Sequence, residues 1–483
     1  MGAVGAIKTL FHRMLGVEQR LLLARLRHGD LRPRRSPARD TVVVEGAEPV
    51  DAWSVREERL RRVLAVLATA GVRYHVLPDL PDEPARPRVG PRTVLVDTSS
   101  WGRALQSVRG LGPSWRVVGD GALVTAYEVS APSDPLSRYD AGLGVRLERR
   151  DGVPGEDSAA SAAPVRDVLE VRERVDVVYT WVDGADPGWR RRRDEAAGNA
   201  TGAHRSATAD SRFTSRDELR YSLRSLEAYA GWFGRVHLVT DGQVPRWLDT
   251  AHPRVQVVSH REIFRDPSVL PVFNSHAIES QLHRVPGLSE RYLYLNDDVF
   301  LGRPVRPELF FDANGCNRFF LSTARIPPGL PSADDLPVDA AAKQNRELLV
   351  RRFGRAPSFK LQHVPHPQHR SVVEQIEAEY PQELAAVARS RFRSPADLSV
   401  ASSLQHFWAY ETGRAVPGRL DYLYVDLADP DLALQLYGLG RRRDRDVFCL
   451  NEVDLDPDVE PRVAALVARF LEDYFPRSGS FER

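Results

Sequence analysis

Tyr292-Leu293-Tyr294-Leu295-Asn296-Asp297-Asp298 is an apolar run that ends abruptly in two acids. The run predicts a strand, and side-chain alternation at its end points the two carboxylates in different directions. One could then bind Mg²⁺ while the other orients a neighbour, since Mg²⁺ needs only one or two protein carboxylates beside substrate phosphates. A solvated turn would show the same pair. Outward from this strand, Val175–Tyr179, Val236–Val239 and Val255–Val258 read as further strands. Asp217–Ala230 places Leu219, Leu223, Leu226 and Ala230 on one helical face. Strands alternating with helices predict an open, mostly parallel α/β sheet, which binds ligands beyond the carboxyl ends of its strands.

Two other segments carry chemistry. Tyr179-Thr180-Trp181-Val182-Asp183-Gly184-Ala185-Asp186-Pro187 leaves a strand through turn residues with a Trp and two carboxylates. Such a loop can stack on a base and hold a ribose or metal, or it can simply end the strand. His363-Val364-Pro365-His366-Pro367-Gln368-His369 holds three imidazoles, and the prolines on either side of His366 restrict the backbone there. Those prolines spoil a helical face of metal ligands, so a general base at His366 is the better reading than zinc; three surface histidines ahead of a helix is the plain alternative. Arg212, Arg216, Arg220 and Arg224 recur four apart, and Arg391 and Arg393 follow the histidines. Guanidinium groups can clamp phosphate oxygens with two parallel hydrogen bonds.

The remaining sequence bounds the answer. Lys and Arg total 67 against 66 acids, so no global charge favours nucleic acid as a partner. Cys316 and Cys449 lie far apart without metal-site spacing, which predicts a reducing, cytoplasmic setting. No stretch approaches the ~20 apolar residues that cross a bilayer, and the N-terminus lacks the apolar core of a signal peptide. Residues 1–40 form a basic amphipathic segment and linker in which residues 1–39 carry nine cations against Glu18 and Asp30. Their helical apolar spacing predicts either peripheral contact of residues 1–35 with the inner face of the cell membrane or packing on protein. Residues 41–150 read as a small α/β domain without a legible role, with strands that include Val42–Val44. Residues 151–170 are a Gly/Ala/Ser/Pro-rich linker, and a larger unit spans 171–483.

Together the blocks VDVVYTWVDGADP (175–187), SRFTSRDELRYSLRSLEAYAGWFGRVHLVTDGQVPRWL (211–248), FNSHAIESQLHRVPGLSERYLYLNDDVFLG (273–302), HVPHPQHRSVVEQIEAEYPQEL (363–384), RFRSPADLSVASSLQHFWAYETG (391–413) and FCLNEVD (448–454) resemble the Stealth family of sugar-phosphate transferases. These six stretches make four blocks, 211–248 continuing through 273–302 and 363–384 with 391–413, and four blocks in order are more specific than any one motif. The family's last block usually reads Cys-Leu-Asn-Asp, whereas Glu452 follows Cys449-Leu450-Asn451 here. The resemblance implies a nucleotide-sugar donor, a polysaccharide or oligosaccharide acceptor and Mg²⁺ or Mn²⁺ as cofactor. It implies donor contacts from Trp181, Asp183, Arg212, Glu279, Asp297 and Asn451, and metal ligation by Asp298 and Asn451. It further implies phosphate clamping by Arg393 and activation of the acceptor hydroxyl by His366. The product would be a phosphodiester in capsular or exopolysaccharide synthesis. A metal-dependent glycosyltransferase and a non-catalytic glycan-binding protein, which would use aromatics such as Trp181, Trp247 and Trp408, are the competing expectations.

Overall fold

The computed structural model describes residues 51–483 except 80, 82–86, 132–133, 154–166, 199–212, 214, 453–454 and 457. The basic segment 1–40, the expected strand Val42–Val44, most of the 151–170 linker and Arg212 therefore lie outside the described residues. No helix among the described residues is long and apolar enough to cross a membrane.

The protein is α/β. Its first sheet comprises β1 (Tyr74–Val76), β2 (Arg92–Asp97), β3 (Trp115–Asp120), β4 (Leu123–Glu128) and β5 (Val145–Arg150), in the order β1-β2-β5-β4-β3. Helices α1 (Ala52–Thr69) and α2 (Trp101–Arg109) pack on it through Leu60, Val63, Leu67, Ala104 and Val108. Asp51 starts α1 by accepting the amides of Trp53 and Ser54 at 2.7 and 3.0 Å, which satisfies two donors the helix leaves open.

The second sheet comprises β6 (Val175–Thr180), β7 (Val236–Thr240), β8 (Val255–Ser259), β9 (Arg291–Asn296) and, after shorter strands, an edge strand at His366–His369 that lies antiparallel to β9. The strands β9, β6, β7 and β8 are mutually parallel, as the alternation of strands and helices predicts. Both β6 and β9 are buried almost throughout, because helices cover the two faces. Helix α3 (Pro187–Gly198) follows the β6 loop, and α4 (Glu218–Tyr229) buries Leu219, Leu223 and Leu226 against the sheet. His366 and His369 are not surface histidines ahead of a helix, the plain alternative, because both are buried on the edge strand. Pro367 is tolerated because the strand lies at an edge of the sheet.

Short strands then bring the site together. After β9 come β10 (Val299–Leu301), β11 (Asn317–Phe319), β12 (Leu321–Arg325), β13 (Phe359–Leu361), the edge strand β14 (His366–His369), β15 (Ala415–Pro417), β16 (Tyr422–Asp426) and β17 (Val447–Asn451). β17 pairs antiparallel with β10 and parallel with β16, so Val299 faces Cys449 and Tyr424 faces Cys449 across the ladders. That register carries the end of β17 to the β9–β10 turn.

The two sheet units also touch directly. Arg56 and Arg306, both buried, share Asp79 at 2.6 to 2.9 Å, and burial is outweighed by the two guanidinium groups, which hold that carboxyl well below its usual value. Gly231 allows the capping Asp51 to approach, since a Cβ there would lie 2.6 Å from Asp51 Oδ1.

Candidate active site at the ends of β6 and β9

Asp297 and Asp298 form the turn between β9 and β10. The backbone of Asp298 is fixed by Leu450 N–H, which donates to its carbonyl at 3.0 Å. Its carboxylate is fixed on both sides. His363 Nε2 lies 3.1 Å from Oδ1, Asn451 Nδ2 donates to Oδ2 at 2.7 Å, and the Cys449 thiol approaches Oδ2 at 3.5 Å. Burial opposes ionisation of Asp298, but the His363 imidazole and these donors outweigh it and hold the carboxyl below its ordinary value. The same contact raises His363 despite burial, so each partner favours the charged form of the other.

Asp297 behaves oppositely. Burial, together with the nearby Glu218 and Asp298 carboxylates, pushes its carboxyl well above the ordinary value. Glu218 is likewise raised by burial, with Asp298 adding to the effect. Three crowded carboxyl groups therefore share one region with too little positive charge, an oxygen-rich environment that suits a hard divalent cation. Donor atoms of Asp298, His363 and Cys449 also lie within 4.8 Å of one another. The thiol is a poor partner for Mg²⁺, and burial with Asp298 beside it drives Cys449 well above its ordinary value, so it serves Asp298 as a donor.

Asn451 accepts Tyr424 O–H on its oxygen at 3.0 Å and donates its amide to Asp298 Oδ2 at 2.7 Å, which ties it to the carboxylate beside which it was expected to act. Glu452, where a shorter acid is usual, reaches Arg216 and forms a buried ion pair with it. Arg216 also lies 3.7 Å from Glu218 and 3.3 Å from Glu460. Arg220 and Arg224 are engaged by Glu482, so these members of the arginine series are structural. Immediately before α4, Asp217 adopts a left-handed backbone with φ 62°, a conformation that Asp tolerates better than most residues.

Tyr294 links the acids to the remaining side chains. Its hydroxyl lies 3.2 Å from Thr180 Oγ1 and donates to Asn296 Oδ1 at 2.8 Å, while its ring stacks on His366 with centroids 6.3 Å apart. His366 is buried beside His406, at 5.3 Å between ring centroids. Burial, His406 and His363 push it well below the ordinary histidine value, and no hydrogen bond reaches its ring among the described residues. Burial thus favours its neutral form.

Arg393 enters from the 390–397 loop. Asn274 ties that loop down by donating to Ser390 O, Phe392 O and Asp397 Oδ2 at 3.1, 3.3 and 2.8 Å, while its oxygen caps the helix Ser275–Glu279. Arg393 donates to Ser275 Oγ at 2.8 Å, and among the described residues no carboxylate lies within ion-pair distance of it. Burial lowers its pKa, while Glu279, Tyr294 and Asp397 act in the other direction. Glu279 accepts Ser402 N and Oγ at 3.2 and 2.8 Å. His276 and His283, on the same stretch, turn to Asp397 and Glu377 at 3.4 and 3.0 Å.

The β6 loop emerges beside this group, since Thr180 pairs with Asn296. Asp183 closes a turn by accepting Ala185 N–H at 2.8 Å, and its backbone is clasped by Gln243. Gly184 is required there, because a Cβ would stand 2.2 Å from Phe213 O. Trp181 is half-buried against the core. Trp408 is wholly buried between Phe353 and Tyr380, which removes it from the aromatics that a glycan could meet. Sequence reasoning gave no role to Thr180, Glu218, Asn274, Tyr294 or Tyr424. Only the FNSH stretch offered a signal, as a helix cap preceding His276.

Comparison with known proteins adds the following. Profiles for Stealth protein conserved regions 1, 2, 3 and 4 match residues 173–200, 212–319, 362–410 and 438–483. The chain is 50% identical over 349 residues to the exopolysaccharide phosphotransferase SCO6023 of Streptomyces coelicolor, covering 72% of this chain and 58% of that protein. It is 41% identical to the exopolysaccharide phosphotransferase of Nocardia farcinica, covering 64% and 61%. It is 40% identical to the exopolysaccharide phosphotransferase CpsY of Mycobacterium tuberculosis, covering 64% and 58%. The matched part is thus about three-fifths of the length of these relatives. Among solved structures it is similar to the galactosyltransferase LgtC bound to donor and acceptor sugar analogues. That match has 12% identity and a TM-score of 0.32 over 63% of this chain and 96% of that one, an overlap too low to argue from.

Proposed function

The chain belongs to the Stealth family, and from that premise we propose that it transfers a sugar 1-phosphate from a nucleotide sugar to a glycan hydroxyl in exopolysaccharide synthesis. The donor is of the UDP-hexose or UDP-N-acetylhexosamine type, and the product is a phosphodiester. The observation that carries the reading is the division of charge in the site. Asp297, Asp298 and Glu218 crowd one side, while Arg393 holds a guanidinium with no carboxylate at ion-pair distance among the described residues. A phosphate group is the ligand that satisfies both sides, through a divalent cation on one and direct hydrogen bonds on the other.

The acceptor hydroxyl attacks the phosphorus next to the sugar, the new P–O bond forms, and the bond to the nucleoside monophosphate breaks. His366, whose ring has no hydrogen-bond partner among the described residues, takes the hydroxyl proton. Arg393 offsets charge spread over the phosphate oxygens. Mg²⁺ or Mn²⁺, held by Asp298 with Asp297 beside it, would supply further positive charge to those oxygens. His363, Asn451 and Cys449 keep Asp298 ionised and oriented. Trp181 and Asp183 lie beyond β6, where the nucleotide would be met. Arg212 and Glu279 complete the proposed donor contacts.

The product separates this chemistry from glycosyl transfer. With UDP-sugar and an oligosaccharide, mass analysis should find UMP and a sugar-phosphate adduct on the acceptor. UDP with a bare sugar adduct would establish the glycosyltransferase alternative instead. The chain's place in the cell remains part of the same proposal: the enzyme works at the inner face of the membrane, with residues 1–35 as the contact.

A further inference from the structure

A cavity of about 420 Å³ lies between the two sheet units, within the ordinary range of small-ligand sites. Arg88 forms one wall, on the segment preceding β2, and the opposite wall is Pro417–Asp421. Arg88 is anchored on both sides. Its backbone bridges Val305, and its guanidinium donates to Asp421 Oδ2 at 2.6 Å. Arg303 also donates to Asp421 at 2.9 Å and engages Asp446, another lining residue.

Two chain segments lead from this cavity into the catalytic group. Gln362 lines it, and the next residue is the His363 that contacts Asp298. Asp421 lines it, and the next residue is Tyr422, the first of β16, which pairs along its length with β17, the strand that carries Cys449 and Asn451. The cavity is therefore adjacent to the reaction centre, on the side where β13 and β16 begin or end.

Its chemistry favours a neutral polyhydroxyl ligand. Arg88, Arg419, Asp421 and Asp446 give the lining both donors and acceptors, and both acids are already held by arginine, so no free carboxylate faces a ligand. Leu309, Leu321 and Leu420 supply apolar surface of the kind that covers a sugar's C–H face. Gln362 donates its amide to Leu321 O at 3.2 Å, and its shielded Oε1 has no partner among the described residues. The lining holds no aromatic side chain on which a nucleotide base could stack.

We propose that this cavity is a subsite for a neutral sugar unit of the acceptor glycan, so that Arg88 gives the N-terminal α/β unit a part in acceptor choice. The inference rests on the transferase reading of the adjacent centre. It assigns a role to a unit that precedes the matched conserved regions, which begin at residue 173.

The test uses the full chain with maltopentaose, cellopentaose and mannopentaose as probes, and compares wild type with Arg88→Ala and with Leu321→Trp, which fills the cavity. Binding is read by calorimetry and acceptor KM by product formation, beside UDP-sugar affinity and melting temperature. At least one probe should bind the wild type, and both variants should weaken it tenfold or more while UDP-sugar affinity and melting temperature stay within error. Absence of binding by all three probes, or equal affinity in wild type and both variants, overturns the subsite. Should one probe bind in an Arg88-dependent way while no phosphodiester forms, the subsite stands and the transferase reading falls. Should transfer proceed with an acceptor KM indifferent to both variants, the transferase reading stands and the subsite falls.

Discussion

His363 Nε2 stands 3.1 Å from Asp298 Oδ1, and the contact favours the charged form of both partners against the burial that opposes it. Removing either partner should impair the same function. Asp298→Asn is expected to lower transfer by at least ~10²-fold and to weaken its dependence on divalent cation. His363→Ala should cost less, because Asn451 and Cys449 still hold the carboxylate. In a double-mutant cycle on kcat/KM the combined variant should be no slower than Asp298→Asn alone. Full additivity would mean that the two side chains act independently.

The amide of Asn451 gives a second prediction. Asn451→Asp replaces a donor 2.7 Å from Asp298 with a like charge, which should raise the Asp298 pKa and reduce transfer by ~10²-fold or more. Asn451→Ser, which keeps a donor on a shorter arm, should retain more activity than the aspartate. If the aspartate variant instead binds Mg²⁺ more tightly and stays active, position 451 is a ligand site after all.

Stability should fall in mild acid for a reason separate from the carboxylates. Burial holds His406 at about 3 and His260 at about 4, against an ordinary value of 6.5. The unfolded chain therefore binds protons that the folded protein refuses. Their contribution is complete above pH ~6.5 and is lost as pH falls toward 4 and 3. Between pH 7.5 and 5 each should remove about 2 kcal/mol. Denaturant melts at several pH values check this. The slope between pH 6.5 and 5 should flatten in His406→Asn, and an unchanged slope would show that His406 does not contribute to it.

The Arg56–Asp79–Arg306 group predicts a large cost at a position far from the site. Asp79→Ala leaves two buried guanidinium groups without their shared partner, although Arg306 keeps Glu308 at 3.1 Å. Unfolding free energy should drop by about 3–5 kcal/mol. A loss under 1 kcal/mol in urea would show that the two sheet units are not held by this ion group.

The sequence made β6, β9 and α4 legible because each buries a regular apolar pattern, and β9 because two acids end it. The assembly around Asp298 was not legible. Asn451 is 153 residues away in the chain and arrives only through the antiparallel pairing of β10 with β17. Pro365 and Pro367 disguised β14, since proline argues against a strand unless an edge position is known. The arginines at 216, 220 and 224 looked alike as a spaced series. Only folding separates them from Arg393, because it brings Glu452 and Glu482 to the series and leaves Arg393 facing the site.

His366 and Arg393 bear the central claim, since one is proposed to move a proton and the other to hold phosphate. The decisive measurement is single-turnover transfer beside UDP-sugar affinity by calorimetry, for His366→Ala and Arg393→Ala. His366→Ala should bind donor nearly as wild type and transfer ~10²–10⁴-fold more slowly. Arg393→Ala should lose donor affinity, transfer rate or both, and Arg393→Lys should rescue poorly because a point charge lacks the two-pronged fork. A His366→Ala enzyme that transfers at the wild-type rate would contradict the account.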